Sequence, residues 1–232
     1  MCYFKKLIKV KFPLVILVMF FVFSNCESQK KLPKRPNVIL IMADDIGFEC
    51  LSINGSTSYK TPVLDSLART GVNFTRAISQ PLCTPSRVKI MTGKRNYKNY
   101  EYFTYLNPNQ KTFGNLFKEN GYKTAIVGKW QLNGIEHQLE GHEDNTRPYH
   151  FGFDEYSLWQ LTQSKKYGER FANPLIEQNG AFLPRDKDAY GPDIVSNYAI
   201  DFIKKNKDQP FFIYYPMLLV HSPFVPTPDS PE

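Results

Sequence analysis

The sequence predicts an α/β protein, a mainly parallel β-sheet flanked by helices. Three observations carry that prediction. Apolar, β-branched or aromatic runs of strand length recur at Asn37 to Met42, Lys123 to Val127 and Phe211 to Tyr215. Segments of helical periodicity with recognisable starts and stops lie between them. The composition, 42% hydrophobic and 22% charged over 232 residues, suits a packed core and excludes disordered, collagenous and coiled-coil chains.

The chain opens on a leader. Lys5, Lys6, Lys9 and Lys11 precede an apolar run, Phe12 to Phe23, that is too short to span a bilayer comfortably. Basic, then apolar, then small and polar is the order of a secretory signal. Phe23-Ser24-Asn25-Cys26 resembles a lipoprotein signal, so residues 1–25 are expected to be removed and Cys26 to carry lipid. Ordinary cleavage near the same place and a retained amino-terminal anchor are the alternatives. All three place the remainder outside the cytoplasm, in the periplasm or at the cell surface. Residues 26–35 read as a polar tether and residues 36–232 as the folded domain. The leader lysines account for four of the net +7 charges, and no basic run follows, which argues against a nucleic-acid partner. Four scattered cysteines make no disulfide framework.

Each element then has its own signal. Asn37 to Met42 is a continuous apolar run after Pro36, as expected of a strand buried on both faces. Thr61 is placed to cap a helix whose first residue is Pro62. Val63, Leu64, Leu67 and Ala68 share one face of it, and Gly71 ends it. Val72 to Ala77 has the pattern of a short strand. Thr84-Pro85 opens a second helix that stops at Gly93, and Thr112 to Asn120 forms a third, closed by Gly121. Asp193 to Lys205 is a fourth helix, with Ile194, Tyr198, Phe202 and Ile203 expected to face inward. Residues 131–192, rich in loop formers and aromatics, read as an insertion with little regular structure.

In parallel sheets ligands gather beyond the carboxyl ends of the strands. Four polar clusters fall there: Asp44-Asp45, Cys83 to Arg87, Lys129 and His221. Two adjacent carboxylates after a strand repel each other, and a hard cation would relieve this. A solvated loop start is the bland alternative. Cys83 stands where backbone N–H groups and the helix dipole favour an anion, and Arg87 adds a forked cation suited to sulfate or phosphate. A buried free thiol beside a Pro-started helix is the alternative there. His137, Glu140, His142, Glu143 and Asp144 cluster, but at no standard zinc spacing, and read as a solvated loop. Trp130 and Trp159 read as core, with a sugar-stacking role second for Trp159.

Cys83-Thr84-Pro85-Ser86-Arg87, followed by Met91-Thr92-Gly93-Lys94, resembles the signature of the sulfatase family. Around it NVILIMADDIG, TPVLDSLARTGVNFTRA, TFGNLFKENGYKTAIVGKW and PFFIYYPMLLVHSPF follow the family's order. The resemblance implies an alkaline-phosphatase-like fold and a sulfuric ester hydrolase, with a sulfated carbohydrate as the default substrate. It implies that Cys83 is oxidised to formylglycine by a formylglycine-generating or anaerobic sulfatase-maturing enzyme. One hydroxyl of the hydrated aldehyde would attack sulfur, and the other would then expel sulfate. Asp44, Asp45 and residue 83 match calcium ligands. Arg87 matches the support of the formylglycine, Lys129 a sulfate contact, and His221 the histidine near the scissile oxygen. A phosphate or phosphonate ester hydrolase of the same superfamily is the first rival. A lipid-anchored remnant that binds without turnover is the second.

Two departures stand out. Where the family has histidine, this chain has Gln131, which can orient a hydroxyl or contact substrate but cannot act as a base. A later block that completes the calcium site is missing. The chain is therefore expected to be the amino-terminal, incomplete portion of a sulfatase.

Overall fold

The structure is a computed structural model that describes residues 35–163 and 169–230. The leader, Cys26 and the tether up to residue 34 lie outside the described residues. In chain order the elements are β1 (Val38–Met42), α1 (Pro62–Thr70), α2 (Cys83–Thr92), α3 (Phe113–Glu119) and β2 (Lys123–Lys129). They continue with α4 (Arg147–His150), β3 (Glu155–Trp159), β4 (Ile176–Gln178), β5 (Ala181–Phe182), α5 (Gly191–Asn206) and β6 (Phe211–Pro216). No described helix is long and apolar enough to cross a membrane.

The strands form one six-stranded sheet in the order β1-β6-β2-β3-β4-β5. The first four in that order are mutually parallel, with Met42 opposite Pro216 and Lys129 opposite Trp159. Their carboxyl ends therefore lie along the same side of the sheet. β4 and β5 extend the sheet antiparallel. Helices cover both faces, as the sequence implies. On one face Val88 and Met91 of α2 and Phe113 and Phe117 of α3 pack against Ile126, Tyr156, Leu158, Phe212 and Tyr214. Phe117 lies flat on Phe212 at 4.0 Å between centroids. On the other face α5 sets Ala199 and Phe202 against Ala125, Val127, Phe211 and Ile213. Each fully buried large side chain contributes roughly 1.5–3 kcal/mol by leaving water.

Four expectations are corrected. β1 is not buried on both faces: Ile39 and Ile41 are exposed, because β1 is an edge strand beyond the reach of α5. Residues 72–77 form no strand, and Val72 and Phe74 are each 76% exposed with no neighbouring strand to pair with. α1 forms as expected, but Val63, Leu64 and Leu67 on its apolar face are exposed. The described residues between 131 and 192 contribute to the sheet and core. They supply β3, which pairs in parallel with β2, and bury Phe151, Phe153, Tyr156, Leu158 and Trp159. The inward face of α5 forms as expected and is wider: Phe202 is buried, Ile194, Tyr198 and Ile203 pack half-buried against the core, and Val195 and Ala199 are buried with them.

Candidate active site

The site is assembled where the parallel strands end. After β1 the chain turns at Asp45, whose φ is 64°, and Asp44 is locked to the segment after β6 by two backbone bonds. Asp44 N–H donates to the Leu219 carbonyl at 2.9 Å, and Val220 N–H donates to the Asp44 carbonyl at 2.8 Å. These bonds bring His221 beside the acidic pair. His221 Nε2 lies 3.5 Å from Asp45 Oδ2, and Nδ1 lies 2.8 Å from the Ser222 carbonyl.

α2 begins at Cys83, which is half-buried. The sequence around it explains its rigidity. Ser86 Oγ accepts from Gln80 N–H at 3.1 Å and lies 2.9 Å from the Leu82 carbonyl, which ties the approach loop to the first turn. Thr84 Oγ1 accepts from Thr104 N–H at 3.1 Å, and Asn96 Nδ2 donates to the Pro85 carbonyl at 2.9 Å. The Cys83 thiol points at Gln131 Oε1, 3.5 Å away.

Arg87 lies one turn further along α2 and is fully buried. Its Nη1 donates to the Lys129 carbonyl at 2.6 Å, and its Nη2 is 3.6 Å from Asp44 Oδ1. Lys129 is presented by the last residue of β2. Gly128 precedes it at φ 115°, and a Cβ there would run into the Pro216 carbonyl, so no side chain fits. Lys129 Nζ donates to Asp44 Oδ2 at 2.7 Å.

Electrostatics follow from this crowding. Burial would raise the Asp44 carboxyl, but Arg87 and Lys129 together hold it below its ordinary range. Burial, aided by the Arg87 charge, lowers the Lys129 ammonium even though Asp44 opposes this. Sequence reasoning missed one residue. Arg170 Nη1, from the segment between β3 and β4, reaches Asp44 Oδ2 at 3.9 Å, and its guanidinium carbon lies 4.3 Å from the Trp159 ring centroid. Arg170 lies in no motif, and only the folded chain brings it here. Trp159 is 2% exposed, so it is core and offers no platform to a sugar.

Asp44, Cys83, Arg87, Lys129 and Gln131 thus form one contiguous cluster, with Asp45 and His221 at its rim. For a cation the fit is incomplete. Asp44 is already engaged by three cationic side chains, and no group of three His, Cys, Asp or Glu able to hold a metal occurs among the described residues. A calcium ion prefers roughly six to eight oxygens. The cluster suits an oxyanion instead, because forked and point cations surround a thiol at the end of a parallel sheet.

Comparison with known proteins points the same way. The sulfatase family profile matches residues 36–232. The chain is 30% identical over 209 residues to an N-acetylglucosamine-6-O-sulfatase of Bacteroides thetaiotaomicron, covering 88% of this chain and 34% of that protein. It is 31% identical over 223 residues to an N-acetylgalactosamine-6-sulfatase of Mus musculus, covering 82% of this chain and 41% of that protein. The chain thus spans about a third to two-fifths of the length of these relatives. A solved complex with the substrate D-glucosamine-2-N,6-O-disulfate matches at TM-score 0.69 and 30% identity, over 84% of this chain and 36% of that one. A phosphonate monoester hydrolase of Agrobacterium radiobacter matches at TM-score 0.60 and 21% identity, over 84% of this chain and 43% of that one, a likeness of fold alone.

Proposed function

The chain belongs to the sulfatase family, and on that premise we propose that it carries the anion-binding and nucleophile-bearing part of a sulfuric ester hydrolase that acts on a sulfated carbohydrate. The observation that carries the reading is the convergence of Arg87 and Lys129 on Asp44 beside Cys83. The names of the relatives, two amino-sugar sulfatases and a complex with a sulfated glucosamine, support the substrate class.

Residue 83 is proposed to be converted to formylglycine by a dedicated maturing enzyme. Conversion is a two-electron oxidation: an oxygen atom takes the place of the sulfur, which leaves at the sulfide level, and two hydrogens pass to an oxidant that the maturing enzyme supplies; the hydrated aldehyde then offers a nucleophilic hydroxyl that a plain thiol lacks. This chain's own residues do the rest. Lys129 and Arg87 neutralise charge on the sulfo oxygens, an effect that is large in a buried site. His221, whose Nε2 lies beside Asp45 at the rim of the cluster, is placed to give a proton to the leaving oxygen when its ring is protonated. Gln131 Oε1 accepts from the group on residue 83 and orients it. Asp44 and Asp45 are proposed to contribute two carboxylates to a calcium ion, but the described residues do not complete that site, and no step depends on it.

Export and a lipid anchor at Cys26 complete the proposal. Incorporation of labelled fatty acid that Cys26→Ala abolishes supports the anchor; labelling that survives the change refutes it. The central experiment is co-expression with a maturing enzyme, followed by mass spectrometry of the peptide holding residue 83. Parallel assays on an aryl sulfate and an aryl phosphate then follow. Sulfate release that requires Cys83 is expected. Phosphate release without sulfate release would favour the phosphate-ester rival, and neither activity in fully converted protein would favour the non-catalytic one.

A further inference from the structure

The structure assigns Arg170 to the anion pocket as a third cation that contacts the sulfo group of the substrate, a role that rests on the hydrolase reading of the same site. Arg87, Lys129 and Arg170 all reach the carboxylate of Asp44, at 3.6, 2.7 and 3.9 Å. Each of these side chains is between 1% and 4% exposed. Three buried positive charges thus face a single buried negative one. Such an excess is costly unless an anion joins it.

The hydrogen-bond inventory points to where the anion goes. Nε and Nη1 of Arg170 are buried with no hydrogen-bond partner, and so are Nε and Nη2 of Arg87. Buried guanidinium donors left unpaired in this way mark a missing acceptor. An oxyanion with several lone-pair oxygens can satisfy donors on two forks at once, which a single carboxylate cannot.

Arg170 is also held ready. Its guanidinium lies on the Trp159 ring at 4.3 Å, which fixes the plane of the fork without using its hydrogens. Its segment is pinned on both sides. Leu175 N–H donates to the Glu169 carbonyl at 3.1 Å, and Gly191 N–H donates to the Phe171 carbonyl at 2.8 Å. A stacked cation with unused donors is positioned for a ligand, whereas a merely structural arginine would spend its donors on carbonyls, as Arg87 Nη1 does on Lys129.

The test uses inorganic sulfate and the unconverted full chain in EDTA, so neither turnover nor metal is needed. Affinity is read by calorimetry against chloride at matched ionic strength. Arg170→Met keeps the apolar stem on Trp159 and removes the fork; it is expected to weaken sulfate binding roughly tenfold or more while leaving the sulfate-free melting temperature near that of the parent. Arg170→Lys should recover part of the loss. Sulfate binding by Arg170→Met as tight as in the parent overturns the assignment. Should that variant fail to fold, Arg170→Lys decides alone: weaker binding supports the fork's role and parental affinity overturns it. The outcome is separable from the hydrolase reading. Arg170-dependent sulfate binding without ester cleavage sinks only that reading. Ester cleavage with KM and sulfate affinity unchanged in Arg170→Met sinks only this assignment.

Discussion

Lys129 Nζ lies 2.7 Å from Asp44 Oδ2, and the two side chains are 1% and 2% exposed. Breaking a buried pair from one side leaves the other charge desolvated and unmatched. Here it would leave three. Asp44→Asn is therefore expected to destabilise the protein by about 3–5 kcal/mol at neutral pH. Urea melts measure this, and added sulfate should return part of the loss. A variant as stable as the parent would mean that the pocket is wetter than its geometry implies.

A second pair sets an acid limit on stability. Lys118 Nζ is 2.9 Å from Asp154 Oδ1, and Thr124 donates to Oδ2 through both N–H and Oγ1 at 3.1 Å. Burial opposes ionisation of Asp154, but the bond from Lys118 and those from Thr124 hold its pKa below the ordinary 3.8. A depressed carboxylate stabilises the fold above its unfolded pKa, and the gain is lost as pH falls through the lower folded value. Asp154→Asn should cost about 1–2 kcal/mol at pH 7. Its stability gap to the parent should narrow only below pH 3.8. A gap that is constant down to pH 2 would show that the charge is not what the bonds hold.

Gly128 should tolerate no side chain. A Cβ there meets the Pro216 carbonyl and sits on a backbone at φ 115°. Gly128→Ala is expected to cost more than about 3 kcal/mol and, by moving Lys129, to abolish activity. Gly55, at φ 95° with nothing within 4 Å, is the control. Gly55→Ala should cost only about 1 kcal/mol. Equal losses in thermal melts would remove the steric argument.

Gln131 accepts from the Cys83 thiol at 3.5 Å but offers no basic nitrogen. In converted protein a pre-steady-state burst followed by slow turnover is expected. Gln131→His should speed the slow phase by about a hundredfold, the scale for gaining a positioned base, with burst amplitude unchanged. Steady turnover in the parent, unaltered by the histidine, would show that another group takes the proton.

Much of this was legible in the sequence, for reasons that particular residues make plain. The ends of α2 and α3 were readable because Thr84-Pro85, Gly93 and Gly121 act locally. The polar clusters could be placed at one end of the sheet because parallel strands share a direction. β3 was hidden because Glu155 to Trp159 is short and set among loop formers, and its pairing with β2 is decided by packing of Tyr156 and Leu158. The exposure of Ile39 and Ile41 was equally hidden, since a run of apolar residues reads the same at the centre of a sheet and at its edge. Arg170 had no local signal; its meaning lies wholly in Asp44 and Trp159.

The turns beyond three of the parallel strands share a conformation. Asp45 after β1, Gln131 after β2 and Gln160 after β3 have φ of 64°, 52° and 58°. Left-handed backbone penalises β-branched side chains and tolerates Asn, Asp and His. At Asp45 and Gln131 the residues that could vary the chemistry of the pocket also bend the chain around it. Variation at these positions is thus confined to a short alphabet, and random libraries there will lose Val and Ile to misfolding before selection can judge them.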